Sequence, residues 1–208
     1  MNIVKRKSRE DPSFFIPNKN QLIKPPNVTL LNHQSLCLEH HIVLEDRKCS
    51  SCDDTVKNPD YLSIGNLSGQ FESLIKDDKF MKLICNTKTS QNFGLASEDI
   101  YQGSTYRQLM PSLKKNDFTL TLNSDGFSVN SSSKIEPWPI YLIFNELDIE
   151  YRFSIKYVVL AAIFYGRKHP NLNSILSLAL KNQLGIFKKG IEVNGISYTF
   201  KLLFSSLD

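Results

Sequence analysis

Four side chains constrain this chain more tightly than any other feature. Cys37, His40, Cys49 and Cys52 follow the spacing C-x2-H-x8-C-x2-C. Two residues between paired ligands let a tight knuckle aim both donors at one ion, and thiolate and imidazole are the donors that Zn2+ prefers in a closed tetrahedral site. The insert between the two pairs, HIVLEDRK, is short enough to form only a small ribbon. A site of this kind is structural, because four protein ligands leave no position for water or substrate. Neighbouring histidines keep the ligand choice open: His41 offers a competing C-x3-H, and His33 is a remoter one. The competing reading is a set of unpaired cysteines beside a surface histidine. Cys85 falls on the apolar face of a helical segment and reads as core.

The first residues, MNIVKRKSRE, lack the apolar run of a secretory signal. No stretch reaches the roughly 18 apolar residues of a membrane span. The strongest candidate, YVVLAAIFYG over Tyr157–Gly166, reads as a buried element. The expectation is an intracellular chain, nuclear or cytoplasmic, with no membrane partner. Cysteines stay reduced there, which favours metal over disulfide.

The chain of 208 residues carries a net charge of +4, and its distribution is uneven. Residues 1–30 hold six basic residues against Glu10 and Asp11, and the remainder is balanced. The same stretch contains Pro12, Pro17, Pro25 and Pro26. Proline lacks a donor and restricts its predecessor, so regular structure is disfavoured. It reads as a disordered basic arm. KRKSR within it is a candidate DNA contact or nuclear address, and the bland alternative is a solvated tail.

The organisation that follows is an arm over 1–30, a zinc knuckle or ribbon over 31–57, a helical connector over 58–117 and a strand-rich unit over 118–208. Apolar spacing predicts a helix over 61–85. FTLTLNSDGF (118–127) alternates as a strand, and WPIYLIFNEL (138–147) has strand composition. Lys156–Tyr165 fits either state. Asn173–Lys189 reads as an amphipathic helix stopped by Gly190, followed by an Asn194-Gly195 turn and a strand, ISYTFKLLF. On local grounds Asp125-Gly126 is a hairpin turn. Glu146, Asp148 and Glu150 read as a solvated turn, His169 as a solvated loop residue, and Trp138 as a packing anchor. Gly-rich phosphate loops, G-x-S-x-G and H-E-x-x-H are absent.

One ordered combination goes beyond these local patterns. SDGF (124–127) precedes SSS (131–133), WPIYLIFNEL (138–147), Arg152, LAAIFYG (160–166) with Lys168 and Pro170, then GIEV (190–193) and a strand reaching Asp208. Upstream lie the cysteine knuckle, SGQFESLI (68–75) and GSTY (103–106). In order and spacing this resembles the animal branch of the CACTA (En/Spm-like) DNA transposases, over roughly residues 35–208. Asp148 stands where that family usually has proline, and His169 is inserted before Pro170.

The resemblance implies an α+β fold: a partial RNase H-like (DDE/D) core with a mixed sheet, preceded by the zinc knuckle and helical connector. It implies DNA cleavage and strand transfer by two-metal phosphoryl transfer. Asp125 and Asp208 would be the first and second metal-binding acids, brought together by parallel pairing of the first and fourth strands. Mg2+ would be the ion, because it is hard and takes oxygen ligands. The third acid would fall beyond Asp208, so the expectation is a truncated, inactive relic, with an incomplete sheet edge open to self-association. The helix over 173–189 would cover one face of the sheet, leaving an exposed apolar patch or the 61–85 helix on the other. The alternative function is a zinc-stabilised DNA- or protein-binding module recruited by the host.

Overall fold

The computed structural model describes residues 30–37, 39–52, 55–89, 99–100, 103–126 and 135–207. Seven strands form a mixed sheet: β1 (Leu30–Leu36), β2 (Asp60–Gly65), β3 (Asp117–Ser124), β4 (Glu136–Phe144), β5 (Val159–Gly166), β6 (Ile191–Val193) and β7 (Ile196–Leu207). The helices are α1 (Leu67–Ile75), α2 (Asp78–Thr89), α3 (Ser104–Leu109), α4 (Ile149–Arg152), α5 (Leu172–Leu180) and α6 (Leu184–Lys189). The strand order is β1-β2-β5-β4-β3-β7-β6. Every neighbouring pair is antiparallel except β3 and β7, which run parallel from Asp117↔Thr199 to Ser124↔Leu207. The result is an α+β fold with the strand-rich second half at its centre.

The expected helix over 61–85 is corrected. Asp60–Gly65 is a strand buried at nearly every position, paired to both β1 and β5. A short stretch such as DYLSIG does not separate strand from helix by spacing alone, and pairing on both edges decides. Asn66 then starts α1, its Oδ1 accepting from Gly69 N at 3.0 Å. Lys156–Tyr165 resolves mostly as β5, despite Ala161 and Ala162, because Ala162 pairs with both Ile64 and Ile140 in the sheet, and Ala161 is buried at the register shift beside it. The helix over 173–189 is two pieces, α5 and α6. Gly190 closes the second at φ +73°, and Asn194 and Gly195 turn β6 into β7 with φ of 52° and 74°, as a two-residue hairpin demands.

The core lies on one face of the sheet. Phe71 of α1 stacks on Phe200 at 4.1 Å between ring centroids and meets Phe144 edge-on, and Phe80 of α2 meets Phe144 at 5.0 Å. Ile175 and Ala179 of α5 belong to the same cluster. Gln183, between α5 and α6, accepts from Leu67 N at 2.8 Å. The two helical layers are thus bonded side by side over one face. Of the two outcomes expected for the opposite face, an exposed apolar patch or cover by the 61–85 helix, the second does not occur, since α1 and α2 pack on the core face. The opposite face carries half-buried Tyr61, Tyr141 and Tyr165 with Thr121 and Asn123. The outer edge of β7 pairs with β6 only over Ile196–Tyr198; among the described residues no other strand pairs with that edge.

Side chains complete the backbone ladder where strands stop. Gln70 of α1 donates to Leu160 O and accepts from Leu160 N, both at 3.0 Å, where β2 has turned away into helix. Glu146 does the same for β3. It is fully buried, and its carboxylate accepts from Thr119 N (2.9 Å) and Thr119 Oγ1 (2.7 Å). Asn145 bonds Thr119 and Thr121, while Arg152 donates to Leu147 O and Asn145 O and chelates Asp99. The reading of Glu146 as part of a solvated turn is therefore overturned, whereas Asp148 and Glu150 are exposed. Burial and the Glu146 carboxylate push the Tyr106 hydroxyl well above its ordinary range. Replacing Glu146 by Leu strands two buried donors, so Glu146→Leu should cost about 2–4 kcal/mol in urea unfolding. Asp148→Ala should stay within about 0.5 kcal/mol. Equal losses in the two variants would refute this account.

Candidate metal centre

The ribbon hangs from the end of β1. Leu36 bridges to Val43, and Leu44 N donates to Ser35 O at 2.8 Å. The first knuckle closes by Cys37 N to Ile42 O (2.9 Å) and His41 N to Cys37 O (2.8 Å). Beyond it, Glu45 and Lys48 bridge across a turn whose central residues, Asp46 and Arg47, have φ of 50° and 62°. Two left-handed residues in succession give a turn whose twist matches a hairpin. That hairpin returns the chain to Cys49 and Cys52. A small cluster of Cys37, Leu44 and Cys49, with Cys52 and Val56 against it, is separate from the main core.

Cys37, His40, Cys49 and Cys52 place their ligand atoms within 4.8 Å of one another. His40 Nδ1 lies 3.6 Å from Cys37 Sγ, 3.6 Å from Cys49 Sγ and 3.2 Å from Cys52 Sγ, and Cys37 Sγ is 3.6 Å from Cys52 Sγ. Tetrahedral zinc, with bonds of about 2.3 Å to sulfur and about 2.0 Å to nitrogen, has edges of roughly 3.8 Å between sulfurs and roughly 3.5 Å from sulfur to nitrogen. The observed distances are close to those edges. The donor set is three thiolates and one imidazole, which fits a structural Zn2+. His40 is the member of the cluster; His41 instead turns its ring edge-on to Phe164 at 6.1 Å, and His33 bonds Ser63.

The local backbone prepares the thiolates. The N–H of Ser51, with smaller help from that of Cys52, lowers the Cys49 thiol to about 6. Hydrogen bonding to Cys37 and Cys49 pushes Cys52 up to about 12, since neighbouring thiols cannot all ionise without a cation. A bound Zn2+ would supply that cation and displace the protons.

Of the two predicted acids, the described residues include only Asp125. Asp125 is exposed, one residue past the end of β3. Asp208 and the basic arm over 1–29 lie outside the described residues, as does Ser131–Ser133. The parallel β3–β7 ladder ends at Ser124↔Leu207. Among the described residues, no group of three or more His, Cys, Asp or Glu side chains besides the Cys3His cluster brings its ligand atoms together. The hairpin reading of Asp125-Gly126 is also corrected. Ser124 pairs with Ile140, so the connection is far longer than a two-residue turn, and Gly126 is not among the glycines with positive φ. Glycine stands there because a methyl group would overlap the Trp138 indole. Trp138 is the packing anchor expected, 6% exposed, with exposed His169 against it at 4.3 Å.

No family model matches the chain, and neither a curated protein nor a solved structure shows significant similarity to it. No helix among the described residues is long and apolar enough to cross a membrane. Chelation of the metal should release the ribbon while leaving the sheet folded, because the two have separate cores. Hydrogen exchange should accelerate over residues 37–57 on adding EDTA and stay slow over β3–β5. Uniform protection with and without chelator would show that the ribbon needs no metal.

Proposed function

We propose that this chain is a zinc-stabilised binding module. The observation that carries the reading is the closed Cys3His geometry at the end of β1. Four protein ligands leave the ion no open position, so the metal holds shape. The partner proposed is DNA, engaged by the basic residues within 1–30. Phosphate contacts of this type release counterions, and the affinity then falls steeply with salt. With about four phosphates neutralised, binding to a duplex should weaken roughly a hundredfold between 50 and 200 mM salt. Replacing Lys5, Arg6, Lys7 and Arg9 together by Gln should flatten that slope in fluorescence anisotropy. Salt-independent binding, or an unchanged slope in the variant, would remove DNA as the partner.

A second reading, favoured by one observation, is a transposase-derived RNase H-like core. The β3–β4–β5 meander with β7 parallel against β3 is the arrangement such a core requires, and it carries Asp125 to a strand end. The proposed state is inactive: among the described residues, no group of three or more His, Cys, Asp or Glu side chains includes Asp125. The purified chain should leave supercoiled plasmid intact in Mg2+. Nicking that disappears in Asp125→Ala would establish an active nuclease instead.

A further inference from the structure

Among the described residues, five buried side-chain atoms have no hydrogen-bond partner: Gln34 Oε1, His41 Nδ1, Asp60 Oδ2, Ser124 Oγ and Trp138 Nε1. Their placement is not scattered. Gln34 lies opposite Leu62, Leu62 opposite Phe164, and Phe164 opposite Trp138. Residues directly opposite one another share a face, as do residues two apart on one strand. Asp60 is two from Leu62. Ser124 is opposite Ile140, which is two from Trp138. His41 lies against Phe164. All five therefore sit on the core face, at the end of the sheet from which the ribbon hangs. Buried polar atoms in native proteins are almost always satisfied, so a concentration of exceptions needs a cause.

Chemistry divides the five. Trp138 Nε1 is a donor and Ser124 Oγ can serve either way. At the β1–β2 corner the atoms are of one kind: an amide oxygen, a carboxylate oxygen and an imidazole nitrogen that offers a lone pair when the proton is on Nε2. Asp60 is 2% exposed. Its Oδ1 accepts from Arg167 N at 3.3 Å, which leaves Oδ2 unmatched. Burial raises its carboxyl above the ordinary range against the opposing pull of that N–H, His41, Arg167 and Lys168. The Arg167 and Lys168 side chains are exposed, and Lys168 is engaged by Glu39 at 3.1 Å. A second observation concerns the backbone. His41 has φ +50°, a left-handed conformation that non-glycine residues seldom adopt. The two consecutive imidazoles part, His40 to the sulfur cluster and His41 to Phe164, near enough to Asp60 for its charge to act on that carboxyl.

We propose that this corner is a second divalent-cation site, held by Asp60 Oδ2, His41 Nδ1 and Gln34 Oε1. One carboxylate, one imidazole and one amide oxygen suit a borderline ion such as Zn2+ or Co2+ better than Mg2+ or Ca2+. Three protein ligands leave a position for water, which the Cys3His site lacks. The site is independent of the DNA-binding reading.

Titration with Co2+, with bound metal counted by elemental analysis, tests it on the full chain. Two equivalents should bind. One should show the intense thiolate-to-cobalt charge transfer, and the other should add only weak visible absorption. Asp60→Asn keeps an oxygen for Arg167 N–H and should reduce the count to one with the thiolate band unchanged. Gln34→Ala should raise the cobalt needed to half-fill the second site by about tenfold or more, of the order seen on weakening a metal shell. Cys49→Ser should disrupt the thiolate band, so failure of the first site is read separately. Saturation of the wild type at one equivalent would mean that water alone satisfies these atoms, and the proposal falls. It also falls if both Asp60→Asn and Gln34→Ala, with wild-type circular dichroism, bind two ions at wild-type concentrations.

Discussion

Backbone hydrogen bonding at the strand ends is the constraint on which this structure depends. The central strands are buried, so each N–H and C=O must find a partner inside the protein. Where neighbouring strands turn away, side chains take over. Gln70 supplies both partners to Leu160, and Glu146 receives the Thr119 N–H. These bonds also position the helices. Gln70 fixes α1 against β5, and Arg152 ties the segment after β4 to Asp99. The aromatic core of Phe71, Phe80, Phe118, Phe144 and Phe200 then packs beneath elements whose orientation is already set.

The metal centre obeys a different logic. Its ligands lie within sixteen residues of one another, from Cys37 to Cys52, and its small cluster is separate from the main core. A metal held by these four ligands would supply locally the stability that so few apolar contacts cannot. The attachment to β1 gives the ribbon a firm base, through Leu36–Val43 and the bond from Leu44 to Ser35. A ribbon held in this way can present a binding surface without being part of the sheet's core.

Some features that look functional in the sequence turn out to be architectural. The glycine of Asp125-Gly126 accommodates an indole, not a tight turn. Glu146 belongs to the sheet's interior. Gln70 stands out in the sequence only through a resemblance, and its role depends on a strand ninety residues away. A buried Glu two residues after a strand has no periodic signature that separates it from Asp148 and Glu150, which are exposed.

What the sequence determined by itself was short-range. Ligand spacing picked out three cysteines and narrowed the fourth ligand to neighbouring histidines. Alternation marked β3, ISYTFKLLF stood out as a strand, and Gly190 and Asn194-Gly195 marked a helix end and a turn, because tolerance of positive φ is a property of the residue itself. Tertiary structure decided the rest. It chose His40 over His41, made Asp60–Gly65 a strand, and buried Glu146 against Thr119, twenty-seven residues earlier. Those outcomes depend on which distant segments pack together, and periodicity or spacing along the chain does not encode that choice.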